Sequence, residues 1–368
     1  MIRASLLVEV MRQPPRSAAL REREWDVLVR QARRTGLLAR LAHALSSQGV
    51  HEVPVASRRH LDVAVRLSSV QRQEVRREVA LLQHALRPLD VPIVLMKGAA
   101  YVMAGSPAAE GRLFSDLDIL VPRHRLAEVE ALLMARGWAT THLSAYDQRY
   151  YREWMHELPP MVHIHRNTVL DVHHNILPQT ARDRPDAALL LEASRPIDGE
   201  PALRVLAPAD LVLHSMSHLF HNDDLGHALR DLSDLDLLLR DRLHDGDFWP
   251  ALLDRAEQLR LTRPLRYGLR YSHAVLATPI PAHVLRHADR WAPSRPVASC
   301  MDALWSRALS PRHASCDDLL SPLARGALWV RAHWLRMPPP LLVRHLATKA
   351  LRAHPPRQRR TPPAAADR

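Results

Sequence analysis

The run Asp116-Leu117-Asp118-Ile119-Leu120-Val121 sets the tightest limit on what this chain can fold into. Its apolar residues are strand formers in unbroken sequence around two acids, so the segment reads as a buried strand. Side chains alternate along a strand with a period of two, which puts Asp116 and Asp118 on one face. Carboxylates beside such an apolar strand are costly unless cations accompany them. A hard divalent ion, Mg²⁺ or Mn²⁺, meets that need, because it binds oxygen from one or two carboxylates together with substrate phosphates.

The surrounding pattern predicts a small mixed sheet. Pro92 to Met96 reads as a short buried strand, Ala99 to Met103 as the start of a helix, and Leu117 to Val121 as a second strand. A helix over 123–136, stopped by Gly137, follows. Further strands are expected at 139–143, 161–165 and 169–176, with Asn167 in the turn between the last two. The last of them carries Asp171, a candidate third metal ligand that would also accept the proton of an attacking hydroxyl. Lys97 and Gly98 stand where the first strand meets its helix. Lys97 is conspicuous in a chain whose other basic residues, Lys349 apart, are arginines. Gly98 lacks a Cβ and lets backbone approach a ligand closely. Lys97, Gly98, Arg112 and Ser115 are therefore the candidate phosphate-side residues.

Helical periodicity dominates on both sides. Residues 1–90 read as a helical region with one long arginine-laced helix from Val55 to Leu86, residues 91–205 as the α/β core, and 206–354 as a larger helical domain. The Pro-, Arg- and Ala-rich residues 355–368 read as a disordered tail. The fold class expected is α+β, a small mixed β-sheet core flanked by helices.

The formal net charge of +12 fits an anionic partner, although arginine-rich composition alone produces it. A nucleic acid is not favoured: the helix around Arg72, Arg76 and Arg77 has no interleaved aromatics for base stacking and reads as a solvated face. Nowhere do eighteen apolar residues run together, so no membrane span is expected, and two isolated cysteines suit a reducing cytoplasm.

Histidines crowd one stretch, at 156, 163, 165, 173 and 174, without the spacing of a zinc motif. His173 is expected to line the pocket or orient a carboxylate. Farther on, His214, His218 and His221, with Asp231, Asp234 and Asp236, read mainly as solvated helix faces.

Taken together, Met96-Lys97-Gly98-Ala99-Ala100-Tyr101, Gly111 to Val121 and Val169-Leu170-Asp171-Val172-His173-His174 resemble the uncharacterised bacterial nucleotidyltransferase family of the polymerase-β-like superfamily. Leu206 to Leu211, His218 and Leu229 to Asp234 resemble its helical half, and the likeness covers about residues 20–280. The resemblance implies a metal-dependent nucleotidyltransferase that uses a nucleoside triphosphate, ATP by expectation. Asp116, Asp118 and Asp171 would be its catalytic metal ligands, and Lys97, Gly98, Arg112 and Ser115 its nucleotide side. The acceptor is not legible. Where the superfamily has Gly followed by Ser or Gly, Ala99 stands here, so the hydroxyl contact to phosphate is missing. A catalytically degenerate nucleotide-binding or interaction protein is the alternative.

Overall fold

The structure, a computed structural model, describes residues 5–91, 93–141 and 144–344. The expected disordered tail at 355–368 lies outside the described residues, as do Pro92, His142 and Leu143 of the expected strands.

An N-terminal helical stretch comprises α1 (Leu6–Arg12), α2 (Glu22–Arg34), α3 (Leu38–Ser47) and the long α4 (Val55–Leu86), whose ends are those its periodicity predicts. Ser5 caps α1 through its Oγ, and the Glu24 carboxylate accepts the Arg21 backbone N–H at 2.8 Å to start α2.

The middle of the chain runs β1 (Ile93–Met96), α5 (Lys97–Met103), β2 (Asp116–Leu120), α6 (Leu126–Ala135), β3 (Trp138–Thr140), α7 (Ala145–Arg149), β4 (Met161–His163), β5 (Val169–His173), α8 (Ala187–Ala193), β6 (Arg195–Ile197) and β7 (Glu200–Val205). The seven strands form one mixed sheet in the order β3-β4-β5-β2-β1-β7-β6. β2 lies antiparallel to β1 and parallel to β5, while β7 returns parallel to β1.

Several elements are shorter than their patterns suggest. β4 ends at His163 because Asn167 takes a left-handed φ of 56° in the tight turn to β5. β5 stops at His173, and α6 begins only after a 3₁₀ turn at Arg123–Arg125. β6 and β7 were invisible in the pattern, since Pro196 and Pro201 interrupt it.

A larger helical stretch follows: α9 (Pro208–His221), α10 (Ala228–Asp241), α11 (Phe248–Gln258), α12 (Thr262–Leu276), α13 (Ala282–Ala288), α14 (Arg295–Ala308) and α15 (Ser321–Arg336). One large apolar core runs from Leu7 of α1 through the central strands to Leu328 of α15, and Met155, Met337 and Leu342 form a small second cluster. None of the described helices is long and apolar enough to cross a membrane.

Candidate functional site

At the end of β1, Met96 pairs with Asp118 across the sheet. The next residue, Lys97, adopts a left-handed φ of 45° and turns the chain into α5. A side chain with a Cβ is strained there by about 1–3 kcal/mol, a conformation that concentrates at functional sites. The turn brings Lys97 Nζ to 2.5 Å from Asp118 Oδ1. On the other side, the parallel register of β2 and β5 sets Asp118 opposite Asp171 and Leu120 opposite His173. His173 Nε2 lies 3.0 Å from the same Asp118 oxygen.

Asp118 is buried, and burial alone would disfavour its charge; the Lys97 ammonium and the His173 hydrogen bond outweigh that and hold its carboxyl well below the usual range. Asp171 goes the other way. Burial, and then the Asp118 charge, push its carboxyl above the ordinary value, and its Oδ1 is buried without a hydrogen-bond partner. Two opposed acids, one of them with an unsatisfied oxygen, make a donor set that could hold a hard cation. Burial opposes the charge on Lys97 as well, yet Asp118 and Asp116 keep it firmly protonated.

Asp116 lies two residues from Asp118 on the same strand, and its carboxylate accepts the Ser115 hydroxyl at 2.8 Å. It stands outside the tight Asp118–Asp171–His173 group, whose ligand atoms all fall within 4.8 Å of one another. Ser115 and Asp116 instead border a groove of about 470 Å³ between α4 and the starts of β2 and β5. A larger cavity of about 890 Å³ lies among α12, α13 and α14, lined by Arg270, Asp302 and Arg307, and contains none of the candidate residues.

Arg112 is drawn inward, with Nε donating to Asp234 Oδ2 at 2.9 Å and its guanidinium over the rings of Tyr101 and Phe114. Gly98 makes room for this packing: a Cβ there would fall 2.6 Å from Arg112 Nη1 and 2.7 Å from the Phe114 ring. The glycine thus serves a close approach by side chains.

The solvated faces expected on the later helices are overturned at Asp234, His214 and His221, while His218, Asp231 and Asp236 are partly exposed. Asp234 is buried between Arg40 and Arg112, with Arg40 Nη1 donating to its Oδ1 at 2.6 Å. His214 and His221 are buried on α9. The Tyr101 hydroxyl lies 2.6 Å from Ser215 Oγ, which ties α9 to α5, and burial, then the Lys97 charge, hold His214 neutral. Sequence reasoning missed Glu157 altogether. It reaches the site because an isolated antiparallel bridge pairs it with His173, which no local pattern announces.

The chain matches, over residues 21–277, a family described as an uncharacterised nucleotidyltransferase. No curated protein and no solved structure matches it. The match spans well over half of the sequence, and the chain belongs to that family, within the polymerase-β-like superfamily.

Proposed function

We propose, with membership of the uncharacterised nucleotidyltransferase family as the premise, that this chain moves a nucleoside monophosphate from a nucleoside triphosphate, ATP in our reading, to a hydroxyl or phosphate acceptor and releases pyrophosphate. The observation that carries the proposal is the opposed Asp118–Asp171 pair with its buried, unpartnered oxygen. That donor set fits a hard cation. Asp118 and Asp171, with Asp116 at the mouth, would hold Mg²⁺ or Mn²⁺, which when bound neutralises triphosphate charge and favours in-line displacement at the α-phosphorus.

The side chains divide the remaining work. Asp171 accepts the proton of the acceptor hydroxyl as its oxygen bonds to the α-phosphorus and the bond to the bridging oxygen of pyrophosphate breaks. Lys97 offsets the charge that gathers on the leaving pyrophosphate. Ser115 contacts phosphate oxygens, Gly98 admits the Arg112 side chain, and Arg112, steadied by Asp234, adds positive potential behind them. A groove of about 470 Å³ bordered by Ser115 and Asp116 lies beside the pair, lined by Arg77 and Arg166 and by neither Asp118 nor Asp171. The net charge of +12 supports an anionic acceptor, and the cytoplasm, where triphosphates abound, is the compartment we assign.

Thermal unfolding of the purified chain with each ribonucleoside triphosphate and Mg²⁺ tests the reading. At about 100 times its dissociation constant a ligand adds about 2.7 kcal/mol of stability. A metal-dependent rise with ATP, absent in Asp171→Asn, is the expected result. Stabilisation without any pyrophosphate release across acceptor classes favours the degenerate, binding-only alternative, and no response to any nucleotide removes the proposal.

A further inference from the structure

We propose that His156, Glu157 and His173 form a second cation site, for a zinc-class transition-metal ion, distinct from the carboxylate pair of β2 and β5. The inference goes beyond the transferase reading and stands without it, because none of these three ligands is asked to touch a nucleotide.

The chain builds the cluster from two places. The backbone bends at 155–156, the Leu158 N–H donates to Val172 O at 2.9 Å, and the Glu157–His173 bridge fixes the segment against the end of β5. The His174 N–H donates to His156 O at 2.8 Å. One ligand atom from each of His156, Glu157 and His173 then falls within 4.8 Å of the others. His156 and His173 face each other with ring centroids 5.3 Å apart.

Two features point to a metal rather than to a hydrogen-bonded cluster. His173 is 3% exposed and its Nδ1 has no hydrogen-bond partner, although Glu157 Oε2 lies 3.1 Å away, off the direction a hydrogen bond requires. His156 Nδ1 is likewise buried and unpartnered. Buried polar atoms are almost always satisfied, so two orphaned imidazole nitrogens on rings 5.3 Å apart, beside one carboxylate, mark a missing partner. An ion held by both imidazoles and the carboxylate would supply that partner.

The spacing and chemistry agree. Two ligands each about 2.0–2.1 Å from a tetrahedral ion sit about 3.3 Å apart, close to the His173–Glu157 separation. Two imidazoles and a carboxylate suit zinc or a similar borderline ion better than Mg²⁺. His173 would ligate through Nδ1 and donate its Nε2–H to Asp118 at 3.0 Å, the outer carboxylate that metal-bound histidines commonly use. The ion would then fix the tautomer of His173 and, through it, the orientation of Asp118.

The test titrates the full-length chain, stripped of metal, with Co²⁺ followed by its visible spectrum and with Zn²⁺ against a chromophoric chelator. One ion per chain with a tetrahedral Co²⁺ spectrum is expected for the native protein and for Asp171→Asn, with at least a tenfold loss of affinity in His156→Ala and in Glu157→Gln. Glu157→Gln nearly keeps the side-chain volume, and circular dichroism of each variant reports folding. Absence of binding by the native chain, undiminished binding in either site variant, or equal loss in Asp171→Asn overturns the proposal. Success of this titration is independent of any nucleotide response, so the two readings fail separately.

Discussion

Asp118 is the residue on which the centre turns. It is a buried anion with two cationic or polarised partners, Lys97 and His173, on one oxygen. Asp118→Ala strands a buried ammonium, and a loss of about 3–5 kcal/mol in urea unfolding is expected. Asp171→Asn has the opposite sign without metal: it removes a like charge from beside Asp118 and raises stability by roughly 1 kcal/mol, while abolishing stabilisation by Mg²⁺. The strand positions of Asp116, Asp118 and Asp171 were legible because alternation suffices to place them. Their different standing was not. Asp116 at the mouth, Asp118 paired and Asp171 unsatisfied follow from the register between strands and from a left-handed turn at Lys97.

Among the elements, α9 shows how much a helical pattern conceals. His214, His218 and His221 repeat at helical spacing and so resemble a wet face, yet His214 and His221 are buried and the helix packs on α10, α11, α12 and α15. Burial, then the Arg331 charge, lowers the His221 imidazole to about 3. Its folded-state value is thus below the ordinary 6.5, so its contribution to stability is intact above that pH and is lost as pH falls toward 3. The cost at pH 5 is about 2 kcal/mol. Urea midpoints measured from pH 7 to pH 4 are expected to fall less steeply in His221→Gln. The long α4 was readable end to end, being regular and free of proline. β6 and β7 were not, because prolines break their alternation and β7 owes its place to a parallel partner about a hundred residues earlier.

On the scale of the whole molecule, one buried anion joins parts of the chain that composition divides. Asp234 of α10 receives Arg40 of α3 and Arg112 from the loop before β2, and Arg40 also donates to Ala108 O at 2.6 Å. No reading of α10 alone finds this, since its partners stand more than a hundred residues away. Asp234→Asn leaves two buried guanidinium groups short of charge, and a loss of about 3–5 kcal/mol within a single unfolding transition is the expected outcome by tryptophan fluorescence and circular dichroism together. The same contact makes the α/β segment a poor candidate for transplantation. Grafted onto a foreign scaffold, residues 91–205 would import Arg112 without its counter-ion, and the host would have to place an acid of its own behind Gly98 or accept a stray cation in its interior.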